Sequence, residues 1–187
     1  MGRVYVTEFV TLDGVVEDPD GTLQAPGGGW AFRHAPDIFA GDKFETAALL
    51  DGGALLLGRG TWEMFAQRWP SRTTPFATVM NKTTKLVASR TLTSVEAWDN
   101  SELLTGDLAA EVSRIAGERD IVVVGSASVV HQLAAAGLVD EYRMLVLPSV
   151  LGVGRRLFAD GTPPVDLRLV SVKPAGPGSL AVYERAA

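Results

Sequence analysis

An α/β fold built on a largely parallel sheet is predicted for this 187-residue chain by three observations. Short, continuously apolar runs such as Ala54 to Leu57 and Ile121 to Val124 have the pattern of strands buried on both faces. Segments of helical period separate these runs, and a helix crossing between buried strands implies parallel neighbours. The C-terminal part then changes character. Glu141 to Leu147, Leu167 to Val172 and Leu180 to Arg185 read as strands joined by turns alone, which adds an antiparallel edge.

Val4 to Val10 is β-branched and aromatic, a first strand that closes at an Asp13-Gly14 turn. Asp18 to Gly29 is rich in Gly and Pro and must be a surface excursion. Its end, Gly27-Gly28-Gly29-Trp30-Ala31-Phe32, has the composition of a flexible lid carrying aromatic surface for a planar ring, although Trp30 can equally plug the edge of the core. Asp37 to Leu50 is predicted as a helix with Ile38, Phe39, Phe44, Ala48 and Leu49 as its apolar positions, weakened by Gly41. After the Ala54 to Leu57 strand, Gly58-Arg59-Gly60 leads into a helix over Thr61 to Trp69. There the spacing of Trp62, Phe65 and Trp69 points to the core, and Pro70 is the stop. Thr84 to Ala88 is a strand, and Asp107 to Ala116 a helix with Leu108, Val112 and Ile115 on one face. The run Ile121 to Val124 follows, and Gly125-Ser126 opens a further helix that reaches Gly137.

Composition narrows the function. At 47% hydrophobic residues the chain can bury a full core, as one domain over residues 1–187. Seventeen Lys and Arg against 22 Asp and Glu give a net charge of −5, which leaves no basic footprint for a nucleic acid. Cysteine is absent, which removes disulfides, thiolate nucleophiles and Cys-based metal sites; with only His34 and His131 besides, no metal is expected. No apolar run approaches the roughly 18 residues that span a bilayer. The N-terminus enters a strand pattern directly, so no membrane partner and a cytoplasmic location are expected.

Three segments place anion-binding groups at the carboxyl end of a predicted strand, the edge where open α/β sheets bind ligands. Gly58-Arg59-Gly60-Thr61 combines close backbone approach, a helix N-terminus and a fixed positive charge. Gly125-Ser126-Ala127-Ser128 is a second glycine turn into a helix, with two hydroxyls. Ser89-Arg90-Thr91 adds a guanidinium and two more hydroxyls. Singly, each is ordinary punctuation between strand and helix. Together they suit a ligand with several phosphates, such as a dinucleotide carrying a pyrophosphate and a 2′-phosphate. Neither the Gly-x-Gly-x-x-Gly fingerprint nor a Walker A sequence is present. Asp13, at the end of the first strand, is the candidate catalytic and substrate-facing acid, although Asp-Gly is also simply a good turn. No Gly-x-Ser-x-Gly elbow or His-Glu-x-x-His pattern occurs.

Thr11-Leu12-Asp13-Gly14, Leu55 to Glu63, Leu86 to Thr91, Ile121 to Ser126 and the run Gly137 to Tyr142 through Leu147 to Gly154 together resemble the dihydrofolate reductase-like superfamily. Within it the chain is most similar to the reductase domain of the bifunctional riboflavin-biosynthesis deaminase-reductase. The resemblance implies a central sheet of about eight strands, NADPH as hydride donor, a small-molecule substrate and a homodimer. It also implies cofactor contacts from Gly58, Arg59, Thr61, Ser89, Arg90, Gly125, Ser126, Ala127 and Ser128, to which the hydroxyl of Thr91 in the Ser89-Arg90-Thr91 cluster is added from the reading of the residues. By the resemblance Asp13, Pro148, Leu151 and Gly152 would lie near nicotinamide and substrate; Trp30, from the reading of the lid, is a further candidate substrate contact. Val124 stands where the riboflavin reductases commonly carry an acid. The activity so implied is reduction of a 5-amino-6-(5-phosphoribosylamino)uracil-like heterocycle. Dihydrofolate reduction and nucleotide binding without turnover are the alternatives.

Overall fold

The computed structural model describes residues 2–186. Its strands are β1 (Val4–Thr11), β2 (Ala54–Gly58), β3 (Thr84–Ala88), β4 (Ser101–Leu104), β5 (Ile121–Val123), β6 (Glu141–Leu147), β7 (Leu167–Ala175) and β8 (Gly178–Arg185). Its helices are α1 (Ala47–Leu50), α2 (Arg59–Ala66), α3 (Pro75–Lys82), α4 (Leu108–Ala116) and α5 (Ala127–Ala135). One eight-stranded sheet runs in the order β4-β3-β2-β5-β1-β6-β8-β7. The pairs from β4 across to β6 are parallel. The pairs β6 with β8 and β8 with β7 are antiparallel. The α/β class with an antiparallel C-terminal edge is therefore the one the sequence predicts.

Alternation along β1 assigns the two faces of the sheet. Val4, Val6 and Val10 pack with Leu56, Leu86, Val123 and the inner faces of α4 and α5, through Val112, Ile115, Val129, Val130 and Leu133. Tyr5 faces the other way with Leu55, Leu57, Val87 and Val122, under Trp62, Trp69, Met80 and Trp98. Farther along that second face, Phe9 joins Leu145 and Leu147 beneath Trp30, Ala31 and Ile38. All four tryptophans are buried.

Three parts of the chain differ from the sequence reading. Asp37 to Leu50 is a run of turns, with helix only over Ala47–Leu50. Gly41 at φ +71° and Glu45 at φ +55° are left-handed and cannot sit inside a helix. The Asp42 carboxylate caps the short helix instead, accepting from the backbone N–H of Thr46 (2.8 Å) and Ala47 (2.7 Å). Helix α3 was not predicted, although Thr74 accepts from the Ala77 N–H and Pro75 occupies the first turn, a start signal present in the sequence. Nor was β4, four residues at the sheet edge of which Glu102 is exposed and the others half-buried.

The excursion over residues 18–29 is a built loop. The buried Asp18 carboxylate accepts from the N–H groups of Leu23 (2.9 Å) and Ala25 (3.0 Å), and Arg68, just past α2, donates to Asp20 and Thr22. On β3, Lys85 is fully buried. Its ammonium donates to the carbonyls of Asn81 (2.8 Å) and Met80 (3.3 Å) at the C-terminal end of α3 and lies 4.5 Å from the centre of the Trp98 ring.

Candidate functional site

The parallel strands end along one edge, and there the sheet opens. Strand β5 pairs with β1 only as far as Val6 and Val123, whereas β1 continues beside β6 to Thr11 and Leu147. The gap beyond Val123 is filled by the Gly125-Ser126 turn. Gly125 has φ +68°, and the Gly125–Ser126 peptide is cis. Gly58 closes on this turn: its N–H donates to the Gly125 carbonyl at 3.0 Å, and a Cβ at Gly58 would lie 2.5 Å from Ser126 Oγ. The first turns of α2 and α5 are thereby fastened side by side. Both helices present unsatisfied N–H groups and the positive end of the dipole to the same edge.

Most of the proposed cofactor residues fall on this edge. Ser126 Oγ and Ser128 Oγ are 2.9 Å apart, with Ala127 between them in the first turn of α5. Arg59 is exposed and donates to Thr91 Oγ1 at 3.1 Å, which joins the β2 and β3 ends of the groove. Ser89 Oγ accepts from the N–H groups of Thr91 (3.1 Å) and Leu92 (3.0 Å), so it shapes the turn that displays Arg90 to solvent.

The substrate-side residues are rearranged relative to expectation. Asp13 does lie between the ends of β1 and β6, and its carboxylate is fully engaged. It accepts from Thr11 Oγ1 (2.6 Å), Gly152 N–H (2.7 Å) and Leu151 N–H (3.2 Å). The Thr11 hydroxyl bond, followed by the Gly152 N–H, holds its carboxyl down to about 2. A carboxylate so committed carries no proton at neutral pH. In the structure Asp13, the expected catalytic and substrate-facing acid, fixes the Leu151-Gly152 loop against the end of β1. Leu12 N–H donates to the Ser149 carbonyl (2.8 Å), and His34 Nε2 meets Ser149 Oγ (2.7 Å), so Pro148 and its neighbours are tied to the same rim. Trp30 is corrected as a substrate contact. It is 0% exposed, packs in the core and donates its indole N–H to the Glu17 carbonyl at 2.9 Å. Two surface depressions, of about 300 and 340 Å³, lie elsewhere, beside Trp98 at the start of β4 and beside Trp69 and Phe76 beyond α2.

One residue of this edge went unrecognised in the sequence. Glu8 occupies the place between Val6 and Val10 in the inward row of β1, where its pattern calls for an apolar side chain. That row, Val4, Val6, Glu8, Val10, is the signal by which it could have been found. A Cβ built on Gly125 would stand 3.4 Å from Glu8 Oε1 and 3.3 Å from Thr61 Oγ1, so both oxygens border the glycine turn. Oε1 is shielded from water and has no hydrogen-bond partner, the one such side-chain atom among the described residues. Burial alone pushes the carboxyl up to about 8.

With this geometry in place, the family is decided by the match of residues 3–181 to the model of the RibD C-terminal domain. The chain belongs to that family. It is 27% identical over 188 residues to the uncharacterized protein YyaP of Bacillus subtilis (strain 168), covering 96% of this chain and 93% of that relative. Among solved structures, a putative riboflavin biosynthesis protein from Shewanella sp. PV-4 superposes with a TM-score of 0.75 at 20% identity, covering 99% of each chain. A pyrimidine reductase-like protein from Corynebacterium diphtheriae gives 0.56 at 13% identity, covering 100% of this chain and 92% of that one. At these identities the two structures speak for the fold of the RibD C-terminal domain. Among the described residues no helix is long and apolar enough to cross a membrane.

Proposed function

We propose that this RibD C-terminal domain is an NADPH-dependent reductase of a small heterocycle, with a 5-amino-6-(5-phosphoribosylamino)uracil reductase-like activity. Membership of the family supports a reductase-like role. The observation that carries the cofactor is the junction of α2 and α5, where the close contact of Gly58 with the Gly125-Ser126 turn sets two helix N-termini side by side on one edge. That cradle, with Ser126 and Ser128 on one side and Arg59, Thr91 and Arg90 on the other, fits a pyrophosphate and a further phosphate monoester. When bound, the reduced nicotinamide supplies a hydride; the chain's own part is to hold the dinucleotide, orient the acceptor and exclude water. The Asp13-pinned loop and the exposed side chains of Leu12 and Val150 form the rim on the substrate side. The same reading includes a cytoplasmic location and a homodimer.

Thermal shift with NADPH and NADH tests the cofactor. A ligand at 100 times its Kd adds about 2.7 kcal/mol to stability, and NADPH is expected to give the larger shift. Arg90→Ala should reduce the preference for NADPH over NADH about tenfold, the loss of one charge-assisted contact. An unchanged preference removes Arg90 from the site, and silence with both dinucleotides removes the cofactor. NADPH consumption with the phosphoribosylaminouracil or with dihydrofolate then separates turnover from binding alone.

A further inference from the structure

We propose that Glu8 is the proton donor of this reduction, delivering the proton of its carboxyl to a ligand heteroatom bound where β1 borders the Gly125-Ser126 turn. The inference rests on the reductase reading above and names the group which that reading leaves without a source of protons.

Position is the first argument. Glu8 sits two residues beyond the last β1–β5 pair, where the sheet has parted and the helix-start cradle begins. Its Oε1 borders Gly125, as Thr61 Oγ1 does, and among the described residues none bonds to it. A buried polar atom without a partner is destabilising unless something else satisfies it. A ligand atom that reaches Oε1 at the glycine turn does so.

The second argument is elimination among neighbours. Asp13, the other carboxyl of the edge, is spent on Thr11, Leu151 and Gly152. Charged groups around Glu8 are turned elsewhere. Arg143 and Glu141 pair with each other at 2.7 Å, and the strand alternation puts them on the opposite face of β6. Arg59 donates to Thr91, and His131, the sole titratable residue of α5, meets the Arg156 carbonyl at 2.8 Å. Among the described residues no charged side chain pairs with Glu8, and burial keeps its carboxyl protonated at neutral pH. Two carboxyls on one edge are driven to opposite protonation states.

A hydride given up by the reduced nicotinamide, whose C–H bond would break as it is oxidised, would form a C–H bond at the carbon of a C=N or C=O group and send the π pair of that double bond to the heteroatom. The Oε–H bond of Glu8 breaks, its proton joins that heteroatom to give N–H or O–H, and the residue is left as a carboxylate. Water at its part-exposed side returns the proton.

Glu8→Gln keeps the shape and removes the transferable proton. Four measurements on the full chain decide the matter: NADPH affinity, NADPH oxidation with the phosphoribosylaminouracil from pH 5 to 9, the thermal melt, and the carboxyl resonance of Glu8 by ¹³C NMR with and without NADPH and that pyrimidine. Expected are a resonance that titrates near 8 and moves when the ligands are added, NADPH affinity within about threefold, an intact melt, and turnover reduced on the order of 10²-fold or more. Wild-type turnover and pH profile in Glu8→Gln, or a Glu8 resonance that titrates in the ordinary carboxylate range or ignores the ligands, overturns the assignment to Glu8 and leaves the reductase standing. A wild-type chain that neither binds nor oxidises NADPH overturns both. Glu8→Asp, which restores a proton on a shorter arm, should recover part of the lost rate.

Discussion

Burial holds the proton on Glu8 up to about pH 8, and it lowers Lys85 from its ordinary value to about the same pH. The consequences for stability have opposite signs. Between about pH 4.5 and 8 the folded chain binds a proton at Glu8 that the unfolded chain has lost, so stability falls as pH rises through this window. Between about 8 and 10.5 the unfolded chain holds a proton at Lys85 that the folded chain has released, so stability rises. Chemical denaturation at pH 5, 8 and 10 should therefore give its lowest midpoint near 8. Glu8→Gln should flatten the acid limb and Lys85→Met the alkaline limb. A midpoint indifferent to pH in the wild type contradicts both assignments. Asp13, held at about 2, keeps its grip on the Gly152 loop throughout this range.

At the scale of elements, the junction of α2 with α5 depends on glycines that differ sharply in what surrounds them. A Cβ at Gly58 would lie 2.5 Å from Ser126 Oγ and 3.1 Å from its backbone N, while a Cβ at Gly60, one turn start away on α2, meets nothing within 4 Å. Gly58→Ala should destabilise the fold by about 1–3 kcal/mol, as overpacking does, and weaken NADPH binding with it. Gly60→Ala should instead stabilise by up to about 1 kcal/mol through helix propensity. Denaturant midpoints of the pair read the difference, and equal effects would mean that the two helix starts are not locked together. Both glycine turns were legible in the sequence because they follow buried apolar strands, a pattern whose meaning is local. The helix expected over Asp37 to Leu50 was misread because apolar spacing outweighed Gly41, and because the left-handed turn at Glu45 has no sequence mark. Helix α3 had its mark, Thr74-Pro75, and escaped only because its eight residues follow so closely on the end of α2. Glu8 was hidden by the opposite fault: a charged residue in a strand is read as solvent-facing until the neighbouring strand is known to stop short of it.

Across the whole molecule the sheet is asymmetric. Its parallel half is covered on both faces, whereas the terminal strand β7 exposes Leu169 (52%), Val170 (47%) and Val172 (54%) on an unpaired edge. Apolar side chains on an open strand edge are a surface for pairing with another chain. This supports the homodimer of the proposed function, and light scattering should return twice the 19.8 kDa of the chain. Val170→Lys with Val172→Lys should shift it to the single mass. A wild-type monomer at micromolar concentration would remove the dimer from the reading and leave the cleft unaffected, because β7 lies at the far side of β6 and β8 from Gly125.

The burial of the indoles has an optical corollary. Trp62, Trp69 and Trp98 share the side of the sheet covered by α2, the helix whose first turn carries Arg59. Shielded from water, they emit at the blue end of the tryptophan range, where reduced nicotinamide absorbs. A dinucleotide seated at Arg59 would drain that emission by energy transfer, and the chain itself becomes the dye that reports its own occupancy.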